Sequence, residues 1–142
     1  MRNATSGALI TKFSPVGTVE AVALSQRMAA VLVQRGTDKR IDRYDATTGS
    51  LLGSTTVPAT TEDTLAMASK AIVYSTLVLR DPRIGGADTK IWLLDPRNGR
   101  ATPLATTRET AIGLSISGSR VAWAEDLGIS TKARIQAITL PR

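Results

Sequence analysis

The same order of apolar and polar positions occurs twice along the chain. RIDRYDATTGSLLGSTT (residues 40–56) and KIWLLDPRNGRATPLAT (residues 90–106) each predict a strand, a tight turn and a second strand. The aligned pairs are Arg40 with Lys90, Ile41 with Ile91, Asp45 with Asp95, Gly49 with Gly99 and Thr56 with Thr106. We infer that a β-hairpin is repeated in the chain.

The turns of the two hairpins have a chemical basis in their first and last residues. An Asp side chain can accept a hydrogen bond from the backbone two residues on, and Gly can adopt the positive φ that a tight turn needs. Asp45 to Gly49 and Asp95 to Gly99 share this arrangement. These residues are therefore interpreted first as turn formers.

A second pattern precedes each hairpin and occurs three times. It begins at Glu20 (EAVALSQRMAAVLVQR), at Asp63 (DTLAMASKAIVYSTLVLR) and at Thr110 (TAIGLSISGSRVAWAED), and it predicts a strand, a polar break and a second strand. Thr64 to Arg80 also fits a helix, because this stretch is rich in Ala, Leu and Met. The β-branched clusters and the need for one structure in all three copies favour strands.

The repeating unit is therefore about 45 residues with four strands, A to D, which is typical of β-propeller blades. We predict an all-β fold of β-propeller-type, four-stranded antiparallel blades, about three per chain, as half or a fragment of a six- to eight-bladed ring. One domain is expected, with an N-terminal strand in residues 1–17, blades at 18–62 and 63–109, and an incomplete blade at 110–142. The predicted strands are 19–25, 65–68 and 112–116 (A), 28–34, 71–79 and 121–125 (B), 40–44, 90–94 and 134–138 (C), and 51–57 and 100–105 (D).

Two of these segments carry a resemblance to a known family. KIWLLDPRNGRATPLAT resembles the strand-and-turn segment of TolB-like propeller repeats, and SGSRVAWAED from Ser117 resembles the hairpin that precedes that segment. The other two copies lack the Pro-Asp-Gly turn of that hairpin. The resemblance covers Val19 to Leu140 and concerns the blade architecture that is also typical of Trp-Asp-repeat propellers. It implies a binding platform and transfers no catalytic residue.

The residue types that the chain lacks restrict its chemistry. The 142 residues include no Cys and no His, which excludes disulfides, thiolate nucleophiles, His general bases and nearly every zinc site. The GLSISG segment around Ser115 lacks the second Gly of a nucleophile elbow. We expect a non-catalytic protein without a cofactor or a bound metal.

Charge and hydropathy restrict the partners. The net charge is +6, but no run of five or six like charges occurs, which does not favour nucleic-acid binding. No apolar run approaches the ~20 residues of a membrane-spanning helix, so we expect a soluble protein without membrane insertion. The N-terminus does not read as a secretory signal, which fits a cytoplasmic protein or an exported one whose signal has been removed.

The B-to-C and D-to-A connections are expected at the same end of every blade, which we call the loop face. Charges of both signs there suit a polar protein partner. The 80–88 loop, RDPRIGGAD, has too few carboxylates for an EF-hand calcium site, whereas its glycines beside arginines leave an anionic ligand open. The candidate binding residues are Arg35, Asp38, Arg80, Asp81, Arg83, Asp88, Arg108, Glu125 and Asp126.

Two alternatives to a protein-binding module stay open. A propeller-based hydrolase or lyase would need two carboxylates with raised pKa values near the central axis. A glycan-binding propeller would need exposed aromatic rings, whereas Trp92 and Trp123 are expected to pack within strands.

The alignment also predicts how the blades pack and close. Ile41, Ile91 and Ile135 should occupy equivalent buried positions on successive C strands. Three blades cannot close a ring of ordinary size, and the third has no D strand before the sequence ends. Ala8 to Phe13 is predicted to be a strand that completes the third blade of a second copy in a six-bladed homodimer. The rival is that the remaining blades belong to a longer propeller or to another polypeptide.

Overall fold

The structure, a computed structural model, describes residues 11–68, 71–126 and 133–140. Within these ranges the chain forms strands only, and no helix occurs that could cross a membrane. The strands are β1 (Thr18–Leu24), β2 (Met28–Arg35), β3 (Asp38–Asp45), β4 (Leu51–Val57), β5 (Thr61–Ala68), β6 (Ala71–Leu79), β7 (Ala87–Leu94), β8 (Ala101–Thr107), β9 (Thr110–Ser117), β10 (Arg120–Asp126) and β11 (Ala133–Thr139).

The strands form three antiparallel, blade-like sheets. The first sheet has the order β1-β2-β3-β4, the second β5-β6-β7-β8, and the third β9-β10-β11. Each strand pairs with its neighbour in sequence, so every sheet is a simple meander. The predicted fold class is confirmed, with A-to-D strands in two sheets and A-to-C strands in the third.

The two predicted Asp-to-Gly turns are also confirmed. The Asp45 carboxylate accepts a hydrogen bond from the backbone N–H two residues later at 2.8 Å, and Asp95 does the same at 2.9 Å. The turns end at Gly49 and Gly99, whose φ values of 75° and 71° are disfavoured for residues with a Cβ. The sequence repeat therefore corresponds to a repeat in backbone geometry.

The sheets stack in chain order, with the A strands β1, β5 and β9 in contact. We call the face of each sheet that points toward the next sheet its front face, and the opposite one its back face. A buried cluster joins the front of the first sheet to the back of the second: Ala23, Ala30, Leu32, Ile41, Val57, Met67, Ile72, Tyr74 and Leu94. A second cluster joins the second sheet to the third: Ala66, Val73, Ile91, Ala111, Val121 and Trp123.

One predicted core position is wrong. Ile41 and Ile91 are 0% exposed on the front faces of their sheets, whereas Ile135 is 79% exposed. Ile135 lies opposite Ala124 in the register of the third sheet, and Ala124 alternates with the buried Trp123, so Ile135 also lies on a front face. The face on which Ile135 lies was predicted correctly, but none of the described residues forms a further sheet to cover that face.

The back face of the first sheet is covered at β2 and β3 by the segment that precedes β1. The Phe13 ring packs against Tyr44 at a centroid distance of 5.5 Å, over a buried cluster that includes Val31 and Val33. Residues 11–13, the described part of the predicted N-terminal strand, form no strand, while residues 8–10 lie outside the described residues. Phe13 therefore packs within its own chain, on the first sheet.

Candidate binding surfaces

The loop face lies where the B-to-C and D-to-A connections meet, as predicted. Arg35 ends β2 and Asp38 begins β3, and the two residues pair across a tight turn with exposed side chains. Asp126 ends β10 at the same edge of the third sheet and is exposed. These residues lie at the loop-face ends of the inner strands of the first and third sheets.

Arg80 connects two of the predicted elements of the loop face. Its Nε lies 2.6 Å from Oδ1 of Asp88, and its guanidinium also donates a hydrogen bond to the backbone carbonyl of Arg108. The B-to-C connection of the second sheet is thereby tied to the D-to-A connection that leads into the third. The Arg108 side chain itself is exposed.

The rest of the 80–88 loop forms a hydrogen-bonded turn. Asp81 accepts a hydrogen bond from the backbone N–H of Arg83 at 2.8 Å, and its carbonyl accepts two more from the following residues. The two carboxylates of the loop are thus engaged within it, Asp81 with the backbone of Arg83 and Asp88 with Arg80. In the part of the chain that the structure describes, no group of acidic side chains is arranged to hold a metal ion.

Glu125 differs from the other candidate binding residues because its side chain is buried. It lies within β10 and is 1% exposed, so it is a buried carboxylate at the edge of the loop face. It accepts hydrogen bonds from Trp123 Nε1 at 3.0 Å and from the Arg134 guanidinium at 2.9 and 2.5 Å. Burial by itself raises the pKa of Glu125, and the hydrogen bonds from Arg134, Thr107 and Trp123 outweigh it, so the pKa lies below its ordinary value.

A third charged contact joins the first two sheets at this end. Lys39 Nζ lies 2.7 Å from Glu20 and donates to the Thr61 carbonyl at 2.8 Å. A shallow pocket of about 410 Å³ is lined here by Glu20, Lys39, Glu62 and Asp63. Sequence reasoning did not single out Glu20 or Arg134, because ion pairs between strands depend on register that the sequence alone does not give.

The aromatic rings of the second and third sheets are used in packing. Trp92 stacks on Tyr74 with ring centroids 6.3 Å apart, and Lys90 Nζ lies 4.5 Å from the Trp92 ring. Trp123 is buried between sheets. The prediction that both Trp residues pack within strands is confirmed, and burial raises the pKa of Tyr74 to about 12.

The opposite end of the sheets has a more apolar cavity of about 640 Å³. Among the described residues, its lining has one charged side chain, Arg27, and no carboxylate. These lining residues are Ser25, Gln26, Arg27, Met28, Met67, Ala68 and Ile116.

The front face of the third sheet is the second candidate surface, which we call the open face. Ile112 is 55% exposed and lies in register with Ala124 and Ile135. A shallow groove of about 310 Å³ runs between the two Ile side chains over small residues. The apolar residues of the open face are Ile112, Ala122, Ala124, Ile135 and Ala137, and Ser115 lies opposite Ala122 on the same face.

Comparisons with known proteins support the fold only. No protein-family model and no curated protein matches the sequence. The crystal structure of the computationally designed Ika8 protein matches with a TM-score of 0.54 at 12% identity, over 96% of this chain and 51% of that one, so the chain spans about half the length of the Ika8 chain. The crystal structure of the computationally designed Ika4 protein matches with a TM-score of 0.48 at 11% identity, over 95% of this chain and 99% of that one. The chain is thus similar in fold to a designed protein.

Proposed function

We propose that the chain is a non-catalytic binding module that contacts another protein through its loop face. The observation that carries this proposal is the set of ion pairs that fixes the loop face: Arg80 with Asp88, and Arg134 with Glu125. Side chains fixed before binding lose less conformational entropy on association. A surface held in one shape by such pairs is suited to recognition.

Exposed arginines project around these fixed pairs. Arg35, Arg83 and Arg108 are exposed at the loop face, and Asp38 and Asp81 lie beside them. Charges of both signs on a protein surface favour a partner with a complementary pattern and give binding that weakens with salt. The preferred partner is therefore a protein with a mixed, mainly acidic surface.

The carboxyl groups give less support to a hydrolase or lyase. A general acid at neutral pH needs a raised pKa. Hydrogen bonds from the backbone at Thr48 and Thr47 lower the pKa of Asp45, and those from Arg97 lower that of Asp95. The pKa of Glu125 also lies below its ordinary value, as described above. A relation to TolB-like repeats and binding of a glycan or an anion stay predictions.

The test compares two triple variants with the same change in charge. The loop-face variant is Arg35→Glu, Arg83→Glu and Arg108→Glu, and its matched control at the opposite end of the sheets is Arg27→Glu, Arg100→Glu and Arg120→Glu. All six side chains are exposed, so both variants should fold.

Each protein is immobilised and exposed to cell lysate, and retained proteins are quantified at increasing salt. We expect the wild type and the control to retain the same protein, and the loop-face variant to lose it. Equal retention by both variants would overturn the proposal. Retention of a glycan or a nucleotide from an array, without any protein, would favour the anion or glycan alternative.

A further inference from the structure

The packing between sheets is itself a repeated interface. The front face of the first sheet packs on the back face of the second, and the front face of the second packs on the back face of the third. In both cases adjacent A strands are in contact, β1 with β5 and β5 with β9. Any surface that offers the same back face can therefore continue the series beyond the third sheet.

The open face has the features of the two covered front faces. Ile135 occupies the register position that Ile41 and Ile91 occupy in the first and second sheets, where both are fully buried. Ile112 adds a second large apolar side chain on β9, and the small residues between them form the groove. Contiguous apolar surface of this kind is typical of an interaction site.

Part of a matching back face stays exposed on the first sheet, along β1. Val19, Val22 and Leu24 are 45%, 52% and 47% exposed on β1, and they pair in register with Val33, Val31 and Ala29. The latter three are buried in the cluster against which Phe13 packs, so the covering segment protects β2 and β3 but leaves β1 half exposed. We call Val19, Val22 and Leu24 the β1 stripe.

We propose that the open face binds the β1 stripe of a second copy of this chain. The contact would place β9 of one copy beside β1 of the other, as β1 and β5 or β5 and β9 lie within one chain. The second copy is the chosen occupant because this arrangement continues the contact between A strands that the chain already forms twice, β1 with β5 and β5 with β9. The contact is head to tail, so two copies related by a two-fold axis form it twice and close a ring of six sheets.

This inference is independent of the loop-face proposal, because neither surface contains residues of the other. It also differs from exchange of an N-terminal strand, since it leaves Phe13 on the first sheet of its own chain. In the rival arrangement the two open faces pack on each other, so the β1 stripe is not involved.

The test uses two variants that each damage one side of the contact, and one control. Ile135→Glu damages the open face, and Val22→Glu damages the β1 stripe. The control is Ile84→Glu, whose side chain is 77% exposed and lies outside both surfaces. Because all three positions are exposed, the variants should keep the wild-type melting temperature at low protein concentration, which far-UV circular dichroism checks.

Sedimentation equilibrium then measures mass at micromolar concentrations. We expect the wild type and the control to form a two-chain species, and each damaging variant to dissociate with an equilibrium constant at least about 30-fold weaker. An equimolar mixture of the two damaging variants should associate again, because one intact contact remains between an undamaged open face and an undamaged β1 stripe.

Three results would overturn the proposal. The first is a one-chain mass for the wild type throughout the concentration range. The second is a wild-type dimer that Val22→Glu leaves unchanged, which would indicate that two open faces pack on each other. The third is a mixture that stays dissociated, which would mean that the two surfaces do not bind each other.

Discussion

The second and third sheets place the same residue type at the same position with opposite results. Ile91 on β7 and Ile135 on β11 both point toward the front, yet Ile91 is fully buried and Ile135 is mostly exposed. The difference comes from the third sheet, which covers Ile91, whereas no described residue covers Ile135. Burial at this position is therefore decided by the neighbouring sheet rather than by the strand pattern.

The largest expected effect compares these two positions directly. Ile91→Asp places a carboxylate in a closed apolar cluster and should cost several kcal/mol, about 4 or more, since an unpaired charge would be buried. Ile135→Asp should change the stability of a single chain by about 0.5 kcal/mol or less. Urea unfolding of both variants at low protein concentration measures the difference. Equal losses would mean that the open face is covered within the chain.

A smaller effect is expected from the ion pairs of the same two sheets. Arg134→Ala leaves the buried Glu125 carboxylate without its main partner and should cost about 1–3 kcal/mol. Arg80→Ala breaks the partly exposed pair with Asp88 and should lower the free energy of unfolding by about 0.2–1 kcal/mol. Urea unfolding again gives both values, and a larger loss for Arg80→Ala would contradict the assignment of Glu125 as the buried member.

The Glu125 pair should also lose its contribution in acid. Because the folded pKa of Glu125 lies below its unfolded value near 4.5, the stabilisation is present above pH 4.5 and is lost as pH falls through the folded pKa. Glu125→Gln removes this titration, so the wild type and the variant should show different slopes of melting temperature against pH below 4.5. Parallel slopes would show that this carboxyl does not titrate differently in the two states.

A further effect is expected in alkali, at the closed interface between the first and second sheets. Burial raises the pKa of Tyr74 to about 12 from its ordinary value of 10.0. The neutral phenol therefore contributes its full stabilisation below pH 10, and this contribution is lost as pH rises toward 12. Absorbance of tyrosinate in the wild type and in Tyr74→Phe checks this. Ionisation of Tyr74 near pH 10 would mean that the ring is solvated.

Strand identity could be predicted from the sequence because local patterns determine it, but the polar ends of strands could not. The second A strand was predicted to start at residue 65, whereas β5 starts at Thr61. Its early residues are polar, and Glu62 and Thr64 both bond to the buried Ser75. In a sequence, polar residues of a strand resemble loop residues. Their hydrogen-bond partners lie on another strand, which the local sequence does not show.

The candidate site shows the same limit. The alternation of strands placed Arg80, Asp88 and Arg108 at one end, and the structure brings them together. The partners Glu20 and Arg134 were not predicted, because each ion pair joins residues of different strands whose register sets the distance. Ile135 on the open face was predicted to be buried, since alternation reveals which residues share a face and not what lies against that face.

The meander topology has a consequence for synthesis. Every ladder joins strands that are adjacent in sequence, so each sheet needs only short loop closures to form. On a ribosome the Phe13 segment and the first sheet emerge before any later strand, so the cover of the first back face is available as soon as that face exists. Each later sheet can then pack on the front face of the sheet before it. At each stage the nascent chain therefore has one front face that is not yet covered.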